Sequence, residues 1–251
     1  PEKGASITVL AGVGQGGAKT QEFIDKYIDP AVNTTYGTDL IAYVSGYGAP
    51  QNQTAYEAFT TFSSLSKPLQ EAFARQVFFS ELRSSGRNAV STQNYQAGMD
   101  AIATLFPSSG YKGDINLYYS QIKTLRGGDI NLLTPGGGVN AGLANPSTSV
   151  APKLASKLGI ITGKGGDINA FVNNDFIVNQ SRVFTLGGGD VLMWSSAGNI
   201  DAGRGSRTVS AAPPPQLIAT GDGFRLDISN SVAGSGSGTL PGRPAAPPAA
   251  V

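Results

Sequence analysis

The chain has 251 residues, is 40% hydrophobic and 14% charged, balances 18 Lys and Arg against 17 Asp and Glu for a formal charge of +1, and contains neither His nor Cys. A near-neutral balance excludes the basic footprint of a nucleic-acid binder, and the missing His and Cys exclude Ser-His-Asp and Cys-His catalysis, imidazole bases and ordinary zinc sites. No run of about 18 apolar residues occurs, so no transmembrane helix is expected, and the 34 Gly among abundant Ser, Thr, Asn and Gln suit a β-rich extracellular scaffold held by repetitive packing.

Ala5–Leu10 reads as a strand, followed by the Gly-rich turn Gly12–Gly17. All five Glu (Glu2, Glu22, Glu57, Glu71, Glu81) lie in residues 1–110, whereas residues 111–251 hold eight Asp and no Glu. Glu favours helices and Asp favours caps and turns, so the first part is expected to be helical and the second strand and turn. Helices are predicted at about 20–28, 38–45 and 94–106, the last with Tyr95, Met99, Ile102 and Phe106 on one face. Thr54 and Glu57 form a capping box ahead of Phe59 and Phe62, and Ser66 with Pro68 opens a longer helix ending at Gly86. Along that helix Leu69, Phe73, Val77, Phe78 and Leu82 face inward while Glu71, Arg75 and Glu81 face water.

From residue 111 the phrase Gly-Asp-Ile-Asn recurs at Gly113–Asn116, Gly128–Asn131 and Gly166–Asn169, with echoes at Gly189–Leu192 and Gly198–Asp201. Each copy is one short strand with its corner, too small to bury its own apolar face, so the copies must stack as a solenoid. Asp-to-Asp intervals of 15 (Asp114 to Asp129), 38 (to Asp167) and 23 (to Asp190) imply loops of variable length. Strands are predicted at 115–119, 130–133, 168–172, 176–178, 182–186 and 191–194, with Ile115, Leu117, Ile130, Leu132, Ile168 and Val191 inside. Like residues about 4.8 Å apart would form ladders, Asn116, Asn131 and Asn169 among them. Gly113, Gly128, Gly166 and Gly189 supply the turn, and Asp114, Asp129, Asp167 and Asp190 accept backbone N–H bonds there. Pro213–Pro215 marks an extended exit, a short strand covers 224–228, and the composition of 234–251 is that of a flexible linker. The opening Pro1 and the low-complexity ending suggest a piece of a longer polypeptide.

The expected organisation is therefore mostly β: a β-helix coil in 1–17, an α-helical insertion in 18–110, β-helix coils in 111–212, an exit with one strand in 213–233 and a linker or tail in 234–251.

Carboxylates are the remaining source of chemistry. β-Helices host polysaccharide-active enzymes that work with paired Asp, so Asp129, Asp167, Asp190 and Asp201 are candidates, yet each sits beside Gly or at a repeat corner, where a turn cap explains it. Gly-Gly-Asp-Ile-Asn-Leu-Leu-Thr-Pro departs from the GGxGxDxUx calcium coil, and the Gly12–Gly17 turn lacks the GxGxxG spacing, the Lys-Ser/Thr of a P-loop and an acidic residue about 20 positions on in a βαβ unit, so neither a metal nor a nucleotide cofactor is expected. Tyr118 and Tyr119, adjacent on the predicted strand, place one ring outward, and Trp194 also lies on a strand. These rings either form a sugar-stacking surface or pack under the helices.

GGDINLLTPGGGVNAGLA (127–144), FVNNDFIVNQSRVFTLGGGDVLMWSSAGNIDAGRGSRT (171–208), RQVFFSELRSSGR (75–87) and AIATLFP (101–107) resemble the C-terminal region of filamentous-haemagglutinin-type exoproteins of bacterial two-partner secretion. The resemblance implies a right-handed parallel β-helix fibre, passed through a dedicated outer-membrane transporter and then secreted or displayed on the cell surface. It further implies roles in adhesion, aggregation or biofilm formation, with host-cell, bacterial-cell or matrix glycans or proteins as ligands and with self-association into fibres. A non-enzymatic structural and interaction module is the expectation; a polysaccharide-active β-helix enzyme and a folding or secretion cap are the alternatives.

Overall fold

The structure, a computed structural model, describes residues 4–107, 110–143, 153 and 157–203, with the backbone of 216–220, 223–227 and 236–239. The expected exit at Pro213–Pro215, Ile228 and everything from Leu240 onward lie outside the described residues. The chain divides into two compact units, residues 13–110 and residues 1–12 with 111–251.

Unit 13–110 begins with a 3-10 turn (Gly14–Gly16) and contains α1 (Thr20–Tyr27), α2 (Gly37–Ser45), α3 (Ala55–Ser64), α4 (Lys67–Thr92) and α5 (Gln96–Leu105). The capping box at α3 is present: Thr54 N–H donates to Glu57 Oε2 at 2.7 Å and Glu57 N–H donates to Thr54 Oγ1 at 3.3 Å. Phe23, Phe62, Phe73, Phe78 and Leu82 are fully buried, and the rings meet edge-on, Phe62 to Phe73 at 5.6 Å and Phe78 to Phe106 at 5.9 Å.

Two expectations for the helices are corrected. α4 does not stop at Gly86 but runs to Thr92, where Gln93 takes φ 53° and donates its N–H to Ala89 O. A mid-helix Gly costs about 1 kcal/mol relative to Ala, and buried Leu82, Ser85 and Ala89 on either side outweigh it. On α5 the inward face is Gly98, Ala101 and Leu105, while Tyr95 and Met99 are exposed. Small residues let α5 approach α4 closely, a preference that apolar periodicity alone misreads.

The other unit contains β1 (Ile7–Leu10), β2 (Ile115–Asn116), β3 (Gln121–Thr124), β4 (Ile130–Thr134), β5 (Val139–Asn140), β6 (Gly159–Thr162) and β7 (Ile168–Val172). It continues with β8 (Phe176–Ile177), β9 (Arg182–Thr185), β10 (Val191–Ser195), β11 (Ile200–Asp201), β12 (Gln216–Thr220), β13 (Gly223–Asp227) and β14 (Gly236–Thr239). Three four-stranded parallel sheets run β1-β4-β7-β10, β2-β5-β8-β11 and β3-β6-β9-β14, and β12 and β13 form an antiparallel hairpin. Successive strands visit the three sheets in turn, an arrangement consistent with a parallel β-helix. Equivalent residues align across coils as Ile7, Ile130, Ile168 and Val191 in the first sheet and as Ile122, Ile160 and Val183 in the third. Ile130, Leu132, Ile160 and Ile168 are fully buried in the core between the sheets.

The three Gly-Asp-Ile-Asn copies do not occupy equivalent places. Those at Gly128 and Gly166 lead into β4 and β7 of the first sheet, but Gly113 leads into β2 of the second, where Ile115 aligns with Val139 and Asn116 with Asn140. Ile115 therefore belongs to a different column from Ile130 and Ile168, and Asn116 is no part of the Asn ladder. In that column Asn169 Nδ2 donates to Asn131 Oδ1 at 3.1 Å. The same Gly-Asp chemistry serves two different corners, so the interval from Asp114 to Asp129 spans part of one coil. Gly236–Thr239, inside the stretch read as linker, forms a strand against β9; a Gly-Ser run has no side-chain signal for a strand, and the ladder of the preceding coil supplies it.

Ile168→Ala removes a fully buried column residue flanked above and below and is expected to cost about 2–5 kcal/mol. Val191→Ala, half-buried on the outermost strand, is expected to cost roughly 1–2 kcal/mol. Urea titrations of the two variants check the order.

Candidate functional site

The corner between the third and first sheets repeats one construction three times. Thr124, Thr162 and Thr185, stacked in register on β3, β6 and β9, each donate a hydroxyl to the carbonyl of the Gly four residues on: Gly128 at 3.0 Å, Gly166 at 2.8 Å and Gly189 at 2.9 Å. These threonines are buried, so the bond satisfies a hydroxyl that would otherwise be stranded in the core. Gly166 has φ 97°, and a Cβ there would run into the carbonyl of Gly128 in the coil before it. Only Gly fits this position.

The next residue links the coils. Ser6 Oγ accepts from Asp129 N–H at 3.0 Å, Asp129 Oδ1 from Asp167 N–H at 2.9 Å and Asp167 Oδ1 from Asp190 N–H at 2.8 Å. A second corner does likewise, with Asp114 Oδ1 accepting from Gly138 N–H at 2.8 Å and Asp175 Oδ1 from Asn199 N–H at 2.7 Å. Each of these carboxylates commits one oxygen to a fixed backbone donor of the next coil. Asp201 Oδ1 instead accepts from Gly203 N–H at 2.9 Å, within its own turn. Asp175 and the corner threonines were not singled out from sequence; the spacing Thr-x-x-Gly-Gly-Asp, present at 124–129, 162–167 and 185–190, was the available signal.

The aromatic candidates separate. The strand expected over 115–119 ends at Asn116, because Tyr118 takes φ 46° and turns the chain; Tyr118 is exposed. Tyr119 is held by Lys153, whose N–H donates to the Tyr119 hydroxyl at 3.0 Å and whose Nζ donates to the Tyr119 carbonyl at 2.9 Å and lies 5.2 Å from the ring centre. Trp194 is buried, aligned with Phe171, and donates Nε1–H to Ser196 Oγ at 3.3 Å. Of the three rings, Tyr118 alone is presented to solvent as a ligand surface requires.

Unit 13–110 contains a cleft of about 370 Å³ at the N-terminal ends of α1 and α4. Lys19, Glu22, Lys67 and Glu71 line it with both signs of charge, and Thr20, Gln21 and Gln70 add neutral polar groups. Such a lining offers hydrogen bonds to a polar ligand. Among the described residues no group of three or more Asp and Glu is placed to hold a metal ion. Elsewhere in this unit, burial and the Glu81 carboxylate, which accepts the Tyr36 hydroxyl at 2.7 Å, push the Tyr36 phenol far above its ordinary value of 10.0. Burial also raises Tyr43.

Asp167→Ala leaves the Asp190 amide without its acceptor and is expected to destabilise by about 1–3 kcal/mol; Asp190→Ala, whose carboxylate accepts no bond among the described residues, is expected to stay within about 0.5 kcal/mol. Thermal melts of the two variants test the ladder. For Tyr36 the folded value lies above the unfolded one, so its stabilising contribution is complete below pH 10 and is lost as pH rises beyond it. The melting temperature of the wild type, followed by far-ultraviolet circular dichroism, is expected to fall more steeply than that of Tyr36→Phe between roughly pH 10 and 12.

No helix among the described residues is long and apolar enough to cross a membrane. No curated protein and no solved structure matches the chain. Residues 188–251, which include the corner Gly189-Asp190 and strands β10 to β14, match a family described as filamentous haemagglutinin family outer membrane protein.

Proposed function

We propose that this chain is a structural and interaction module of a large bacterial fibre, secreted or displayed on the outer surface, that acts in adhesion, aggregation or biofilm matrix. In this reading the three parallel sheets are the faces of a right-handed β-helix and residues 18–110 are an α-helical insertion presenting a distinctive surface. The parent protein crosses the outer membrane through its two-partner-secretion transporter, and glycans or proteins of host cells, bacterial cells or matrix are the ligands. The observation that carries it is the ladder from Ser6 through Asp129 and Asp167 to Asp190, which joins coil to coil, together with the family match over residues 188–251.

The same ladder weighs against a polysaccharide-active enzyme, since a carboxylate tied to a backbone N–H is poorly placed to move between acid and base roles. The experiment is binding of the purified chain to a glycan array, to matrix proteins and to bacterial and epithelial cells. Binding that falls when the exposed surface of unit 13–110 or Tyr118 is altered, with no release of reducing sugars from bound polysaccharide, is the expected result. Absence of binding to every surface rejects the adhesive role, and sugar release abolished by Asp→Asn changes at the corners favours the enzyme.

A further inference from the structure

Tyr118 stands where the other coils put residues that suit a left-handed backbone. The second sheet aligns Asn116 with Asn140, Ile177 and Asp201, so two residues further on Tyr118 corresponds to Gly142, Asn179 and Gly203. The turn itself is shared with the coil of Asn179: Ser120 N–H donates to Leu117 O at 2.8 Å and Ser181 N–H donates to Val178 O at 3.1 Å. At this place Tyr118 has φ 46°, Asn179 has φ 54° and Gly203 has φ 92°. Gly reaches that region freely and Asn more readily than most residues, whereas a bulky side chain there strains the backbone.

Asn179 joins coils from this position, since its Nδ2 donates to Asn140 Oδ1 at 3.2 Å and to Gly142 O at 2.7 Å. Tyr118 does nothing of the kind. The residue is 48% exposed, and its hydroxyl makes no hydrogen bond among the described residues. Strain kept where packing does not require it points to a ligand.

The surroundings narrow the chemistry of that ligand. Asn116 and Ser120, on either side in the chain, are exposed and polar, unlike the apolar core of a protein interface. Beside the ring, Lys153 Nζ is fixed by its bond to the Tyr119 carbonyl at 2.9 Å. Lys153 is exposed and an ammonium has three donors, so two remain for a ligand. An exposed ring next to an anchored ammonium suits a sugar that carries a carboxylate.

We propose that Tyr118 and Lys153 form a binding site for a uronic-acid unit of an acidic polysaccharide, the C–H face of the pyranose stacking on the Tyr118 ring and its carboxylate accepting from Lys153 Nζ. The site deepens the reading above and rests on it, naming one ligand class and one place.

Isothermal titration calorimetry of the full 251-residue chain with galacturonate oligosaccharides, neutral galactose oligosaccharides and dextran sulfate tests it. Galacturonate is expected to bind, with the neutral sugar about tenfold or more weaker. Tyr118→Asn is expected to weaken galacturonate binding about tenfold or more while melting no lower than the wild type, because Asn suits the backbone there. Lys153→Gln lowers the affinity for galacturonate toward that for the neutral sugar and leaves the latter unchanged. Undiminished galacturonate binding by Tyr118→Asn overturns the inference, and so does a melting temperature of that variant several degrees below the wild type, since the ring then serves packing. Dextran sulfate bound equally by wild type and Tyr118→Asn, without galacturonate binding, overturns it in favour of plain charge attraction. A wild type that binds cells or matrix proteins but no galacturonate overturns this site alone, whereas galacturonate binding without attachment to any cell or matrix protein supports the site and rejects only that wider attachment.

Discussion

Register between coils is the constraint on which the β unit depends. A parallel ladder holds only if each strand offers its amides at the height of the carbonyls beside it, and a slip by one residue would turn the Ile130 and Ile168 column outward. Backbone pairing alone resists such a slip weakly along strands of two to five residues. The corners supply what the strands lack. A Thr hydroxyl ties down the Gly carbonyl before each turn, and an Asp carboxylate or Ser hydroxyl captures the amide of the equivalent residue one coil on. Position is thus set twice per corner by side chains, with the aliphatic columns between the sheets providing most of the burial.

This arrangement explains the composition. Gly is required where coils approach so closely that a Cβ at Gly128, Gly166 or Gly189 would enter the carbonyl of the preceding coil. Asp is favoured over Glu because its shorter side chain reaches a neighbouring amide without the rotamer freedom that a further methylene would add. The scarcity of charge on the strands follows from their being covered by other strands. Asp114, Asp129, Lys164, Asp167, Asp175 and Asp190 accordingly lie between strands rather than on them.

Parallel stacking of the strands that follow Gly128-Asp129 and Gly166-Asp167 was legible in the repeated Gly-Asp phrase, and so were the inward positions Ile130, Leu132 and Ile168. Equivalence of the copies was not, because Gly113-Asp114 and Gly128-Asp129 carry the same residues at two different corners. Only the partner strand, β5 for one and β7 for the other, tells them apart. β3 and β6 escaped the reading because Gln121–Thr124 is mostly polar and Gly159–Thr162 begins on Gly, so neither shows an alternation strong enough to mark a strand. The corner threonines escaped for a related reason: a lone Thr ahead of glycines looks like any turn until three of them stack. In the helical unit the capping box and the inward face of α4 followed from local rules. The face of α5 did not, since Gly98 and Ala101 are selected by close approach and carry little hydrophobic signal.

Stacking constrains the strands and corners and leaves the connections between them largely free. From Ile130 to Ile168 the chain takes a longer path than from Ile168 to Val191, yet both pairs lie side by side in the same sheet. Residues 13–110 enter the sequence between β1 and β2, and the β12–β13 hairpin between β11 and β14, with each sheet still receiving its strand. Loop closure costs only about 0.6 kcal/mol per doubling of length, so a whole helical unit is a small thermodynamic burden once the flanking coils are in register. The corner carboxylates of Asp114, Asp129, Asp167 and Asp175 have little freedom to acquire chemistry, because moving any of these four breaks a bond to the next strand of the stack. The connections have that freedom, and the polar cleft between α1 and α4 and the exposed Tyr118 both lie on connections between strands. Room for a new surface therefore lies in the segments between the strands, whereas strands and corners fix one another in place.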